Sequence, residues 1–260
     1  MAPHASSPHP GFWPALDAAQ QAALRAVARV RQFGARAPLV YQGDESDHVI
    51  VIERGWAKVT ATTADGHDVV LAVRGPGDLI AESAALGGRT RSATVTALSP
   101  IRALVVPASR FTGFLETHPE VWRLVTGTFV DRLDDHDRRL QAHAAARGAR
   151  RLALLLARLA ERSAQHVPPA RDGAIEIGPP LSQAELGSWT DASRETVARA
   201  LTVLRRAGLI RTGRRRIVVL DLPGLRDYAA QDPDDLADPD DLGDPDAPDG
   251  SGRDASRPTG

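Results

Sequence analysis

Between residues 37 and 107 the apolar positions come in short β-prone runs: Leu39–Tyr41, His48–Ile52, Trp56–Thr60, Val69–Val73, Thr94–Ala97 and Ile101–Val106. Turn residues part them at Gly43-Asp44, Gly55, Asp65-Gly66 and Gly75-Pro-Gly-Asp78. Short strands at regular spacing with such breaks predict a sandwich or barrel. Helical patterns flank this region. Upstream, Leu16, Leu24, Val27 and Val30 predict a helix over about 15–33, after a Pro- and His-containing start at 1–14 that is expected to be loose. Downstream, helices are predicted over 108–116 and about 119–146. On the long one, Trp122, Thr126, Phe129, Leu133, His136, Leu140 and His143 alternate steps of four and three, the seam of a two-stranded coiled coil. Asp131, Arg132, Asp134, Asp135, Asp137, Arg138 and Arg139 leave that seam narrow. A narrow seam favours pairing with a second chain; the alternative is a stripe packed on its own domain.

After Gly148, Leu152, Leu155, Leu156 and Leu159 form the first apolar stripe of a second domain. Residues 182–206 then carry two helix starts. Ser182 and Glu185 form a capping box, and Ser193 is a second N-cap past the turn at Thr190-Asp191-Ala192. Val197, Leu201 and Leu204 make one buried stripe, leaving Arg194, Glu195, Arg199 and Arg205 on the opposite face. Arg can bond two acceptors of guanine and Glu can accept from the cytosine amino group, so this face suits a DNA major groove. A solvated amphipathic helix would carry charge there too. Beyond it, Arg211-Thr-Gly-Arg-Arg-Arg216 leads into Ile217–Leu220, a strand pair whose turn projects arginines.

Charge separates these possibilities. Residues 145–220 hold 14 Arg and 6 acidic residues, a net +8, while residues 1–144 are balanced and residues 221–260 carry −9. A basic segment of this size is the footprint of phosphate contact. Residues 231–260 are rich in Asp, Pro and Gly, with Asp-Pro at 232, 238 and 244. Such a composition is expected to be a disordered acidic tail, either inert or a mimic of nucleic acid that folds back on the basic domain. With no Cys, the chain has no disulfide, cysteine-held iron–sulfur cluster or cysteine nucleophile. Its single Lys, Lys58, leaves a cationic surface made almost wholly of Arg. The eight His show no metal-ligand spacing, and neither a phosphate-binding P-loop nor a GxSxG elbow occurs. No catalytic constellation emerges, so a non-enzymatic protein without a bound metal is expected. No apolar run reaches the ~18–20 residues that span a bilayer, and no signal peptide is apparent at the start, which points to the cytoplasm.

The run Ser193–Arg199 (SRETVAR), followed by Gly208–Ile210 and a basic hairpin, resembles the Crp/Fnr family of bacterial transcription regulators. Similarity extends over roughly residues 30–228. The resemblance implies an α+β chain: an N-terminal β-roll (jelly-roll) effector domain over 15–118, a dimerisation helix over 119–146 and a C-terminal winged helix-turn-helix over 147–230. It also implies Ser193, Arg194, Glu195, Thr196, Arg199, Arg214 and Arg215 as DNA contacts. A second motif, GPGDLIAESAALGGRTRSATV at 75–95, matches the family's effector loop. Arg91, Ser92 and the amides of Ser92 and Ala93 would hold a cyclic phosphate, and Glu82 a ribose hydroxyl. A turn in which Glu82 and Arg91 pair with each other is the alternative. The family's usual Gly before the Glu is Ala81 here, and the positions that meet the purine base become His136 and Asp137 on an ungapped count from Arg151.

The resulting expectation is a homodimeric, cytoplasmic regulator that binds double-stranded DNA and works with RNA polymerase. Its small-molecule effector would be cyclic AMP or cyclic GMP. The rival expectations are a nucleotide-binding or signalling adaptor with a vestigial helix-turn-helix, against which the Arg194, Glu195 and Arg199 face and the +8 segment argue, and a family member that no longer binds cyclic nucleotide.

Overall fold

A computed structural model describes residues 11–45, 47–145 and 148–231. It opens with helix α1 (Ala18–Val27), capped at Asp17, and then builds two four-stranded antiparallel sheets. Strands β1 (Arg29–Phe33), β2 (Pro38–Val40), β3 (His48–Arg54), β4 (Ala57–Thr62), β5 (Asp68–Arg74), β6 (Leu79–Ile80), β7 (Thr94–Ala97) and β8 (Ile101–Pro107) pair in the orders β1-β8-β3-β6 and β2-β7-β4-β5. The unbroken apolar run in β3 follows from burial on both sides. Ile50 and Ile52 face the sandwich interior with Leu39, Val95 and Ile101. Val49 and Val51 face a helical layer with Leu24, Phe111, Leu115 and Val121. A strand covered on both faces has no polar side to alternate with.

Two expectations for the N-terminal part fail here. The helix predicted to residue 33 stops at Val27, and Arg29–Phe33 forms β1, in register with β8 from Arg29↔Val105 to Phe33↔Ile101. Pairing with β8 overrides a weak helical spacing whose last members are β-branched Val27 and Val30. Residues 11–14 are packed rather than loose. Phe12 is buried edge-on against Phe111, with ring centroids 6.3 Å apart, and the Trp13 amide donates to the Gly77 carbonyl at 2.9 Å. Residues 1–10 and the acidic stretch 232–260 lie outside the described residues.

Helices α2 (Glu82–Gly87), α3 (Ala108–Thr117) and α4 (Val121–Ala145) follow the strands. Helix α4 packs on the roll through its N-terminal half, where Val121 and Val125 are fully buried and Leu124 and Phe129 lie against the same cluster. Of its seam, Phe129 is half-buried against the roll, whereas Trp122 is 41% exposed, Leu133 62% and Leu140 56%. The side chain of His143 falls outside the described set.

The C-terminal domain comprises α5 (Gly148–Ala164), β9 (Ile175–Glu176), α6 (Gln183–Thr190), α7 (Arg194–Arg206), β10 (Ile210–Gly213), β11 (Arg216–Val219) and α8 (Leu222–Ala230). Its core is continuous with the outer face of the roll, because Trp56, Val70, Val73 and Leu98 join the same apolar cluster. The Trp56 ring lies against Gly75 and Gly178, where an added Cβ would meet ring atoms at 2.5 Å in each case, and crosses the His166 ring at 5.5 Å. Polar contacts surround this wedge. Lys58 Nζ reaches Glu185 at 3.0 Å, and Ser188 Oγ donates to the Asp68 carbonyl at 2.9 Å while accepting from the Val70 amide at 3.2 Å. Ser188 thereby satisfies two backbone groups on the open edge of β5.

A methyl group at Gly178 has no space beside the indole. Gly178→Ala is therefore expected to cost about 1–3 kcal/mol by overpacking. Gly34→Ala, where nothing lies within 4 Å, is expected to lose no stability. Urea denaturation of the two variants checks the difference.

Candidate DNA-reading surface and effector site

Ser182 caps α6 as expected: its Oγ accepts from the Glu185 amide at 3.2 Å, and Glu185 Oε2 accepts from the Ser182 amide at 2.8 Å. Burial would raise the Glu185 carboxyl, but the Ser182 and Lys58 hydrogen bonds outweigh it and hold the group below its usual range. The helix ends at Asp191 in the left-handed region, φ 52°, a conformation Asp tolerates. The chain then turns back so tightly that a Cβ on Gly187 would stand 2.5 Å from the Ala192 carbonyl oxygen. Ser193 caps α7 by accepting from the Thr196 amide at 3.0 Å, and its hydroxyl also meets Thr196 Oγ1 at 2.9 Å. Val197, Ala200, Leu201 and Leu204 are buried, while Arg194, Glu195 and Arg199 are exposed together on the first turns.

The β10–β11 hairpin runs in register from Ile210↔Val219 to Gly213↔Arg216, so Arg214 and Arg215 form its tip. Arg214 is exposed. Arg215, at φ 52°, turns back instead: its Nε donates to the Pro180 carbonyl at 2.9 Å and it reaches Glu185 at 3.4 Å. Its guanidinium ties the hairpin to α6, which sequence spacing does not reveal. Arg216 is held by Glu176 through two bonds of 2.8 and 2.6 Å. Between α7 and the hairpin lies a cleft of about 620 Å³.

In the roll, Glu82 and Arg91 are almost wholly buried, at 1% and 3% exposure. They do not form an ion pair with each other. Arg91 donates to the carbonyls of Ala81 and His48, at 2.5 and 2.6 Å, and thereby closes the loop that carries it onto β3 and α2. Desolvation lowers the Arg91 pKa against the opposing pull of Asp47, Glu82 and Asp44. Ser92 is exposed and Ala93 half-buried, both beside Arg91 at the mouth of this loop. Arg132 of α4 bonds Glu82 Oε1 and the Leu79 carbonyl. That leaves Glu82 Oε2 and Arg91 Nε buried without a partner, one an open acceptor and the other an open donor.

The two positions counted from sequence as base-facing lie one turn beyond the contact of α4 with Glu82. The His136 and Asp137 side chains are each 60% exposed on α4, with His136 Nδ1 3.9 Å from Asp137 Oδ1. Arg132, one turn of about 5.4 Å earlier on the helix, is the side chain that reaches Glu82. The seating of Val121 and Val125 on the roll sets which turn of α4 reaches Glu82.

Arg132 belongs to a larger group of charges. Asp78 accepts from Arg162 of α5 and from the Gly75 amide. Arg74 feels the charges of both ion pairs, and desolvation together with the Arg132 and Arg162 cations pulls its pKa down to about 9. Burial would raise the Asp78 carboxyl, but Arg162 and Arg74 hold it low.

Comparison with known proteins agrees with this architecture. Residues 30–118 match the cyclic nucleotide-binding domain family, and residues 150–228 match the Crp-like helix-turn-helix domain family. The chain belongs to the Crp/Fnr family of transcription regulators. It is 25% identical to the transcriptional activator protein FnrL of Cereibacter sphaeroides, over 84% of this chain and 87% of that protein. It is 26% identical to the cyclic AMP receptor protein of Thermus thermophilus, over 74% and 84%. Among solved structures, the c-di-GMP responsive global regulator CLP of Xanthomonas campestris superposes with a TM-score of 0.66 at 19% identity, covering 79% of this chain and all of that one. Like other members, this Crp/Fnr regulator joins a cyclic-nucleotide-binding domain to a helix-turn-helix. Among its described residues no helix is long and apolar enough to cross a membrane.

Ala81 carries an energetic cost of its own. It sits at φ 69°, ψ 9°, directly before Glu82. A left-handed L-residue costs about 1–2 kcal/mol, partly offset by the about 0.5–1 kcal/mol of chain entropy that Gly loses on folding. Ala81→Gly is therefore expected to stabilise the protein by about 0.5–1 kcal/mol. A thermal melt checks this, and a lower midpoint would mean that the Ala81 methyl makes a compensating contact.

Proposed function

We propose that this Crp/Fnr regulator is a cytoplasmic homodimer whose effector is a cyclic nucleotide, and that it acts on double-stranded DNA with RNA polymerase as its partner. The observation that carries the effector is the pair of open groups in the roll. Glu82 Oε2 is a buried acceptor awaiting a donor and Arg91 Nε a buried donor awaiting an acceptor. A ribose hydroxyl and an anionic phosphate oxygen are the complementary groups, while Arg132 remains on the other Glu82 oxygen. Leaving such groups unmet costs about 1–3 kcal/mol each, which a ligand of this kind would recover. Ser92 and Ala93 would contribute amides to the same phosphate. The exposed apolar side chains Trp122, Val130, Leu133 and Leu140 of α4 support a second copy as the partner of that helix. No catalytic role is assigned to any residue.

On the DNA side, Arg194, Glu195 and Arg199 would read base edges. Ser193 and Thr196, whose hydroxyls meet at the start of α7, and Arg214 at the hairpin tip would meet phosphates. Arg215 would act mainly by holding the hairpin. In a two-fold dimer the target is a palindrome of two half-sites. Arg199→Ala is expected to weaken binding by about 1–3 kcal/mol and to relax preference at one base pair of each half-site. Selection from a randomised duplex pool checks this; uniform weakening across all sequences would make Arg199 a phosphate contact.

Calorimetric titration with cyclic AMP and cyclic GMP tests the effector directly. Binding of at least one is expected, and Arg91→Gln is expected to weaken it at least about tenfold by removing a charge-assisted contact. A melting curve of the variant separates that loss from unfolding. Wild-type protein that takes up neither nucleotide at millimolar concentration would remove the cyclic nucleotide from the proposal.

A further inference from the structure

The DNA-reading domain carries more cation than its own carboxylates neutralise. The cleft between α7 and the β10–β11 hairpin is rimmed by Arg194, Arg205 and Arg214 over a floor that includes Leu181, Leu201 and Ile217. Arg215 and Arg216 of the same cleft have Glu185 and Glu176, whereas the three rim residues have no carboxylate partner among the described residues. Helix α8 ends at Ala230, and 29 residues follow Gln231 in which ten Asp stand against two Arg, a net −8. These acidic residues are ordered in sequence. Asp-Pro-Asp-Asp-Leu-Ala at 232–237 is followed by Asp-Pro-Asp-Asp-Leu-Gly at 238–243 and Asp-Pro-Asp at 244–246, a repeat of six whose first two units each join three carboxylates to one Leu.

We propose that residues 232–249 are an intramolecular occupant of this cleft, seating their carboxylates on its arginine rim and competing with DNA phosphates for them. The proposal rests on α7 being the DNA-reading helix. Charge is complementary at close range, and Leu236 and Leu242 match the apolar floor. Reach is sufficient. Eighteen residues at about 3.1 Å each span roughly 55 Å when extended, against a radius of gyration of about 13 Å for a 100-residue domain. Attachment at α8 keeps the segment at an effective concentration in the millimolar range. A cleft that binds it with a dissociation constant of about 0.1 mM would then be occluded about tenfold. Because the attraction is between exposed charges, it fades as salt shortens the Debye length from about 14 Å at 0.05 M to about 6 Å at 0.3 M.

Two measurements on the full-length chain test this. In the first, Asp232, Asp234, Asp235, Asp238, Asp240, Asp241, Asp244 and Asp246 are changed together to Asn, and fluorescence anisotropy follows binding to a 24-base-pair duplex of mixed sequence. The neutralised protein is expected to bind about tenfold tighter than wild type in 50 mM NaCl, with the gap closing at 300 mM. Equal affinities at 50 mM would overturn the proposal. The second uses the absence of native Cys: Ala237→Cys provides one thiol for a spin label, and amide signals are recorded without DNA. Broadening is expected to concentrate on 194–206 and 210–219 and to vanish at 300 mM salt. Broadening spread evenly over the surface would show that the acidic residues repel DNA without occupying the cleft, and would sink the proposal even if the Asn variant binds tighter. Duplex binding absent from both proteins would instead refute the DNA-reading role of α7, and the label would still decide whether the cleft is filled.

Discussion

The contact on which the molecule's arrangement depends is the Trp56 indole held between Gly75 and Gly178. It joins the outer face of the roll to the core of the DNA-reading domain, so the two units share one apolar cluster instead of meeting across a solvated linker. Shape gives this contact its specificity, since neither glycine position has space for a methyl group. Ser188 and Lys58 then set the rotation of α6 on β5, and α6 in turn supports α7 through the tight turn at Gly187.

Beside this wedge runs a group of five charges that touches every functional part. Glu82 belongs to the effector loop, Arg132 to the long helix, Arg74 and Asp78 to the roll, and Arg162 to the DNA-reading domain. Three cations face two carboxylates in a desolvated space, where charges are weakly screened. Glu82 and Asp78 are linked through Arg74, which feels both carboxylates. In a two-state protein, ligand contacts that differ between states are what shift the equilibrium, and this group offers such a difference within bonding distance of the effector loop.

Charge is distributed along the chain as deliberately as apolar surface. A balanced effector domain precedes a segment of +8 and then one of −9, although the whole chain carries only −1. Within the basic segment the structure divides arginines by task. Arg215 and Arg216 are tied to Glu185 and Glu176 and shape the hairpin, while Arg194 and Arg214 stand exposed around the cleft.

Features set by local chemistry were legible in the sequence. The Ser182–Glu185 capping box, the Ser193 cap, the α7 stripe, the basic hairpin and six of the eight roll strands follow from neighbouring residues and their period, and the family motif singled out Glu82 and Arg91. What sequence could not supply were the consequences of distant segments meeting. Arg29–Phe33 is a strand because β8 lies beside it, and Phe12 is buried because Phe111 receives it. Arg132 reaches Glu82 because burial of Val121 and Val125 sets the depth of α4 against the roll. Helical spacing states which residues share a face, but only packing decides which turn of that face touches a neighbour.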